Sequence, residues 1–116
     1  MESAEDLLAS AYRLFNVRDI DGVLRLMHED VDWPNAMEGT RVHGHEQVRE
    51  YWKRQWAVFD PHVSPVSFAT EDSGDTVVTV HQQVRDLESN ILVDRTVEHV
   101  YMFQDGLIRR MEIREI

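Results

Sequence analysis

The stretch from Glu29 to Trp56, EDVDWPNAMEGTRVHGHEQVREYWKRQW, constrains the fold more than any other part of the chain. Val31 to Trp33 read as a short extended run, because the residue before Pro34 is biased away from helix. A Pro- and Gly-containing turn region follows. Val48, Tyr51, Trp52, Trp56 and Phe59 then recur at helical spacing, so the segment ends in an amphipathic helix with an aromatic face. Strand, turn and helix in such close succession leave little freedom in how the flanking segments pack.

Upstream, Ser3 and Asp6 read as a helix N-terminus, and Leu7, Leu8, Ala11, Leu14 and Phe15 mark one face of a helix reaching about Val17. The acidic residues from Glu2 to Asp6 suit the positive end of that helix. Asp19 can cap a second, shorter helix with Val23, Leu24 and Met27 inside. The third helix spans roughly His45 to Phe59, with Pro61 and Pro65 ending it. From Val63 onward the texture becomes β-branched, with turn signals at Ser73-Gly74-Asp75, Glu88-Ser89-Asn90 and Asp105-Gly106. Strands are expected at about 63–71, 76–87, 91–104 and 107–115, forming an antiparallel meander. Three helices followed by a long-stranded curved sheet is an α+β architecture, and 116 residues make one domain, 1–116.

Composition removes several classes of function. The absence of cysteine excludes disulfides, thiolate metal sites and a cysteine nucleophile. A formal net charge of -10, with the twelve Lys and Arg residues scattered, argues against nucleic-acid binding. The opening MESAEDLLAS is acidic where a signal peptide would be basic, and no run approaches the roughly 18 apolar residues of a membrane span. A cytoplasmic protein with no membrane partner is the expectation. The histidines of His43-Gly44-His45-Glu46 diverge at a helix start, and His28, His62 and His81 read as surface or sheet residues, so no metal site is expected. No cofactor is expected either.

With DVDWPNAMEGTRVHGHEQV in the middle and VYMFQDGLIRRMEI near the end, this order of elements resembles the superfamily of nuclear transport factor 2, SnoaL-like cyclases and ketosteroid isomerases. The most specific pieces are the loop ending in Gly44, with Glu46 and Val48 opening the helix, and the hairpin Phe103-Gln104-Asp105-Gly106-Leu107-Ile108. The resemblance implies a cone in which a curved sheet wraps around helices and an apolar pocket opens near the helix ends. It also implies a homodimer formed through the outer sheet face. The isomerase chemistry needs an aspartate base and an oxyanion hole of tyrosine and protonated aspartic acid. A gapless overlay puts the base at Asn35, the tyrosine at Ala11 beside Tyr12, and the aspartic acid at His99. An amide cannot take the proton, so that mechanism is disfavoured. Limonene epoxide hydrolases use an aspartate, arginine, aspartate relay. The neighbours Asp94-Arg95 and Arg85-Asp86 point to opposite strand faces and cannot supply one pocket.

The candidate catalytic residues are His99, Glu38 and Arg95. Strand parity puts His99 with Arg95, Val97, Tyr101 and Phe103, and the overlay turns that face toward the pocket, where a histidine could exchange protons. The plainer reading of His99 is a structural histidine satisfied by a neighbour. Arg95 could hold an anionic ligand group, or simply pair with Glu38 or Glu115 or sit at the sheet rim. Glu38 could replace the missing base if its loop folds inward. Ligand-binding candidates are Phe15, Asn35, Tyr51, Trp56, Gln82, Val97, Met111 and Ile113, with Gln82 an amide among the valines of its strand. Aromatic residues at helical spacing are more often core than pocket. Three functions fit: a SnoaL-like enzyme acting by acid/base chemistry on a small apolar metabolite (isomerase, cyclase or hydratase type), a non-catalytic hydrophobic-ligand binder, or a dimeric interaction module.

Overall fold

The computed structural model describes residues 3–116. Helix α1 (Ala4–Asn16) begins where Ser3 Oγ accepts the Asp6 N–H at 3.1 Å, and Glu5 and Asp6 add negative charge against the positive end of its dipole. Glu2, read with them as one acidic run, lies outside the described residues. Leu7, Leu8, Ala11 and Tyr12 form the buried face of α1. Asp19 caps α2 (Ile20–Leu24) by accepting the Gly22 N–H at 2.9 Å. Met27 is not on the inner face of α2, as its spacing suggested. It opens β1 (Met27–Asn35), which pairs antiparallel with the short β2 (Thr40–His43). The sequence gives β2 little signal, since only Val42 of its four residues is buried.

Helix α3 (Gly44–Val58) follows directly, with the His43 N–H bound by Gln47 Oε1 at 2.8 Å and with Val48, Tyr51 and Trp52 buried. Gly44 has a φ of 78°, a left-handed conformation that favours glycine, and this lets the chain turn sharply from strand to helix. The remaining strands are β3 (Phe59–Thr70), β4 (Thr76–Asp86), β5 (Ile91–Gln104) and β6 (Leu107–Glu115). The six strands form one open sheet in the order β2-β1-β6-β5-β4-β3, antiparallel except for the parallel pair β1–β6.

Strand β3 starts at Phe59 and runs through Pro61 and Pro65, the residues expected to separate helix from sheet. It can do so because it is the edge strand, so a missing N–H costs nothing on the side that has no neighbour, and a bulge between Pro65 and Ser67 absorbs the second proline. Asn16 of α1 closes part of this edge: its Nδ2 donates to the Val63 carbonyl at 2.7 Å and its Oδ1 accepts the Val63 N–H at 3.0 Å. Further irregularities at Val84/Arg85 and Met102/Phe103 bend the sheet around α1 and α3. The core fills the concave side with Leu8, Met27, Val31, Val48, Trp52, Val78, Val80 and Ile108, all nearly solvent-free. No helix among the described residues is long and apolar enough to cross a membrane.

Candidate functional site

Between α1, α3 and the concave face of the sheet lies a cleft of about 80 Å³, open on one side. This is about half of the ~150 Å³ apolar cavity that holds benzene, so the enclosed space is smaller than a single ring requires and any ring bound here has to extend through the open side. Its deep end is built from Tyr12, Val23, Met27, His99, Tyr101, Ile108 and Met111, all buried. The mouth carries the half-exposed Phe15, Trp33, Gln55, Gln82 and Ile113. Among the described residues, no lysine, arginine, aspartate or glutamate lines it.

The polar centre at the deep end is a chain of three side chains. Tyr101 Oη donates to Tyr12 Oη at 2.7 Å, and Tyr12 Oη lies 2.9 Å from His99 Nδ1. With the tyrosines donating in that order, Nδ1 is the acceptor and the Nε2 atom carries the ring proton. Reversing the chain would put the proton on Nδ1 and leave the Nε2 lone pair free. Either way, Nε2 is the ring nitrogen left for the cleft. The Tyr12 ring stacks against His99 at 5.9 Å, and Tyr101 meets both edge-on. Burial pulls the His99 pKa from its ordinary 6.5 down to about 4, so the imidazole is neutral at neutral pH. Burial likewise pushes both tyrosine hydroxyls above their usual range and keeps them protonated, with the neighbouring Tyr101 adding to the rise at Tyr12.

A second polar group faces the cleft from α3. Tyr51 Oη accepts the Ala36 N–H at 3.1 Å and the Gln55 side-chain amide at 3.3 Å, and burial raises its pKa. Trp33 and Trp52 pack edge to face at 5.8 Å and make an aromatic wall.

Of the residues singled out from sequence, His99, Phe15, Tyr51, Gln82, Met111 and Ile113 line the cleft. The others do not. Val97 is fully buried opposite Val80 in the sheet and forms no part of the wall. Trp56 sits outside it, stacked on Trp52 at 5.7 Å with the Arg18 guanidinium 4.9 Å above its ring. Asn35 is buried, with its Oδ1 bound to the Glu38 N–H at 3.1 Å and its carbonyl to the Gly39 N–H at 2.9 Å, so it fixes the turn after β1. Glu38 does not fold inward: it faces a separate groove beside α3, 3.9 Å from Arg54, because that turn carries its side chain to the surface. Arg95 shares the face of His99 but lies beyond the cover of the helices, where it pairs with both carboxylate oxygens of Glu115 at 3.1 and 3.3 Å. Its strand outruns the helical layer, so a position with inward parity ends in solvent.

Tyr12 was not expected from the sequence as a partner of His99. Leu8, Ala11, Tyr12 and Phe15 repeat at i, i+3, i+4 and i+7, and that spacing already put Tyr12 on the inner face. Tyr101 was signalled by parity alone. Among the described residues, no three His, Asp or Glu side chains converge as a metal site would require.

The model of the SnoaL-like domain family matches residues 8–111. No curated protein matches. Among solved structures, TerC co-crystallised with polyporic acid is 26% identical with a TM-score of 0.82, over 97% of this chain and 90% of that one. A nuclear transport factor 2-like protein of unknown function from Burkholderia pseudomallei is 21% identical with a TM-score of 0.84, over 100% and 92% of the two chains. A Mycobacterium tuberculosis protein in complex with estradiol-17beta-hemisuccinate is 19% identical with a TM-score of 0.81, over 95% and 91%.

Proposed function

The chain belongs to the SnoaL-like domain family, and we propose that it is a small-molecule enzyme of isomerase or cyclase type that moves a proton on an uncharged, ring-bearing apolar metabolite. The observation that carries this reading is His99, a neutral imidazole at the floor of an apolar cleft, with one nitrogen held by Tyr12 and the other left for the ligand. In the step envisaged the hydroxyl chain runs in the reversed sense, with His99 Nδ1–H donating to Tyr12 and the Nε2 lone pair free. Nε2 takes a proton from a carbon next to a carbonyl, and the C–H electron pair moves toward the oxygen to give an enolate. The imidazolium formed beside that negative charge is stabilised by it, which offsets the low pKa of the free site. The same nitrogen then returns the proton to the same or another carbon, so the ring ends neutral. Tyr12 and Tyr101 hold the ring in place and act as positioning residues. TerC and the Mycobacterium tuberculosis protein, with polyporic acid and an estradiol ester, support an apolar ring-bearing ligand for this cleft too. Arg95 and Glu38 take no part in the step, since one is paired at the rim and the other faces away.

Non-catalytic binding is the second reading, and it is favoured by one fact: among the described residues no carboxylate lines the cleft to serve as a stronger base. Exchange of the α-protons of 1-tetralone in heavy water separates the two. The enzyme reading expects exchange well above the buffer rate, lost in His99→Gln. Binding with no added exchange would leave only the binder. We also infer a cytoplasmic protein that pairs as a homodimer through the outer sheet face.

A further inference from the structure

The hydroxyl of Tyr51 is spoken for on one side only. Its oxygen accepts two N–H groups, from Ala36 in the turn after β1 and from Gln55 one helical turn along α3. Its own proton finds no acceptor among the described residues. A buried hydroxyl proton left unused is costly, so it has reason to meet a partner from the cleft that its ring lines. The two N–H donors also fix the hydroxyl in place and polarise its O–H bond, which strengthens it as a donor.

Tyr51 and His99 approach the cleft from opposite sides. His99 stands on β5 directly across from Ile113 of β6, while the Tyr51 hydroxyl is tied to the end of β1, on the far side of β6. Two strand spacings of about 4.8 Å separate β5 from β1, a width that suits one ring system lying between them. Met111 and Ile113 of the intervening β6 line the cleft beneath such a ring.

We propose that Tyr51 is a catalytic residue that donates its hydroxyl proton in a hydrogen bond to the carbonyl oxygen of the ligand, leaving the carbon beside that carbonyl turned toward His99. The inference rests on the enzyme reading for the role of His99, but the placement of the oxygen does not. It defines the substrate class as an uncharged ring ketone whose exchangeable C–H and whose oxygen lie toward opposite walls of the cleft. As the enolate forms, negative charge gathers on that oxygen, and a donor already held in place stabilises it without reorganising.

The test is the infrared carbonyl stretch of 1-tetralone labelled with carbon-13 at the carbonyl, bound to the wild type, to Tyr51→Phe and to His99→Gln. The expected result is a stretch shifted to lower wavenumber in the wild type and in His99→Gln, and lost in Tyr51→Phe. Tyr51→Phe should also bind 1-tetralone about 3- to 10-fold more weakly while binding tetralin, which has no oxygen, as the wild type does. A shift lost in His99→Gln and kept in Tyr51→Phe would make His99 the donor and overturn the proposal, as would an unshifted carbonyl in the wild type. Should Tyr51→Phe fail to fold, the wild type and His99→Gln still decide by those two outcomes. A shifted carbonyl held by Tyr51 with no α-proton exchange would sink the enzyme reading and leave this placement standing. No binding of 1-tetralone would overturn both.

Discussion

His99, the proposed proton-transferring group, also makes the fold sensitive to acid. Its folded pKa of about 4 lies below the ordinary 6.5, so between these values the unfolded chain binds a proton that the folded chain refuses. Stability contributed by this residue is therefore intact above pH 6.5 and falls as pH drops toward 4, by about 3 kcal/mol in all. Chemical denaturation across that range should show the slope, and His99→Gln should flatten it; an identical slope in the variant would place the histidine in solvent. On the proposed mechanism, α-proton exchange should follow the same titration, rising through pH about 4 and flat to neutrality, because only the neutral ring can take a proton. The two inner tryptophans differ as well. Trp52 is 1% exposed, and Trp52→Ala should cost about 3–5 kcal/mol. Trp56 has a buried Nε1 with no partner among the described residues, so Trp56→Phe should change stability by less than about 1 kcal/mol. Thermal melts of the two variants check both. His99 was readable from strand parity. The Tyr12 partnership was not, because it joins residues 87 apart along the chain.

At the level of elements, the strands most fully legible were those closed by strong turn chemistry. Asp105 and Gly106 both have positive φ and connect Gln104 to its partner Leu107 by a two-residue turn, as an Asp-Gly pair between β-branched runs announces. Strands β2 and the start of β3 were illegible for a tertiary reason: one is too short and exposed to show a pattern, and the other tolerates prolines only because no strand lies outside it. The parallel contact of β1 with β6 also has no local signal. Its stability comes in part from Asp32, which is bound by Arg41 of β2 and Arg110 of β6, while Arg41 reaches the Met111 carbonyl at 2.6 Å. Burial alone would raise the Asp32 pKa, but the hydrogen bond from Arg41 and the charges of Arg41, Arg110 and His43 more than reverse this and hold it below 3.8. The carboxylate therefore stabilises the fold above its unfolded pKa, and that contribution is lost as pH falls through the depressed folded value. Asp32→Asn should cost about 1–3 kcal/mol at neutral pH, and the deficit should shrink in acid. A constant deficit from pH 7 to pH 2 would contradict the role given to these ion pairs.

Over the whole molecule, the curved sheet divides the chain into two surfaces of opposite character. The concave side is aromatic and uncharged around the cleft. The convex side carries polar and charged pairs, with His81 Nε2 2.6 Å from Asp94 and Arg114 bridging Glu71 and Glu98 at 3.1 Å each. The outer face proposed for pairing is therefore polar. A dimer made through it should dissociate on dilution and with added salt in sedimentation velocity, because exposed ion pairs are screened. A purely monomeric species at every concentration would remove the dimer. The two-part pattern of helix then sheet was visible along the chain because each half obeys its own periodicity. Where the helices stop covering the sheet was not visible, and that boundary decides that His99 faces a cleft while Arg95, four residues before it on the same strand face, faces water.

The measurement that bears most directly on the central claim is nitrogen-15 NMR of the His99 ring as pH is lowered, with and without 1-tetralone. A ring that stays neutral down to about pH 4, with Nδ1 protonated toward Tyr12 and an unprotonated Nε2 that shifts when the ketone is added, is the expected result. A ring that protonates near 6.5, or an Nε2 indifferent to the ketone, would contradict a proton-transferring histidine at the floor of this cleft.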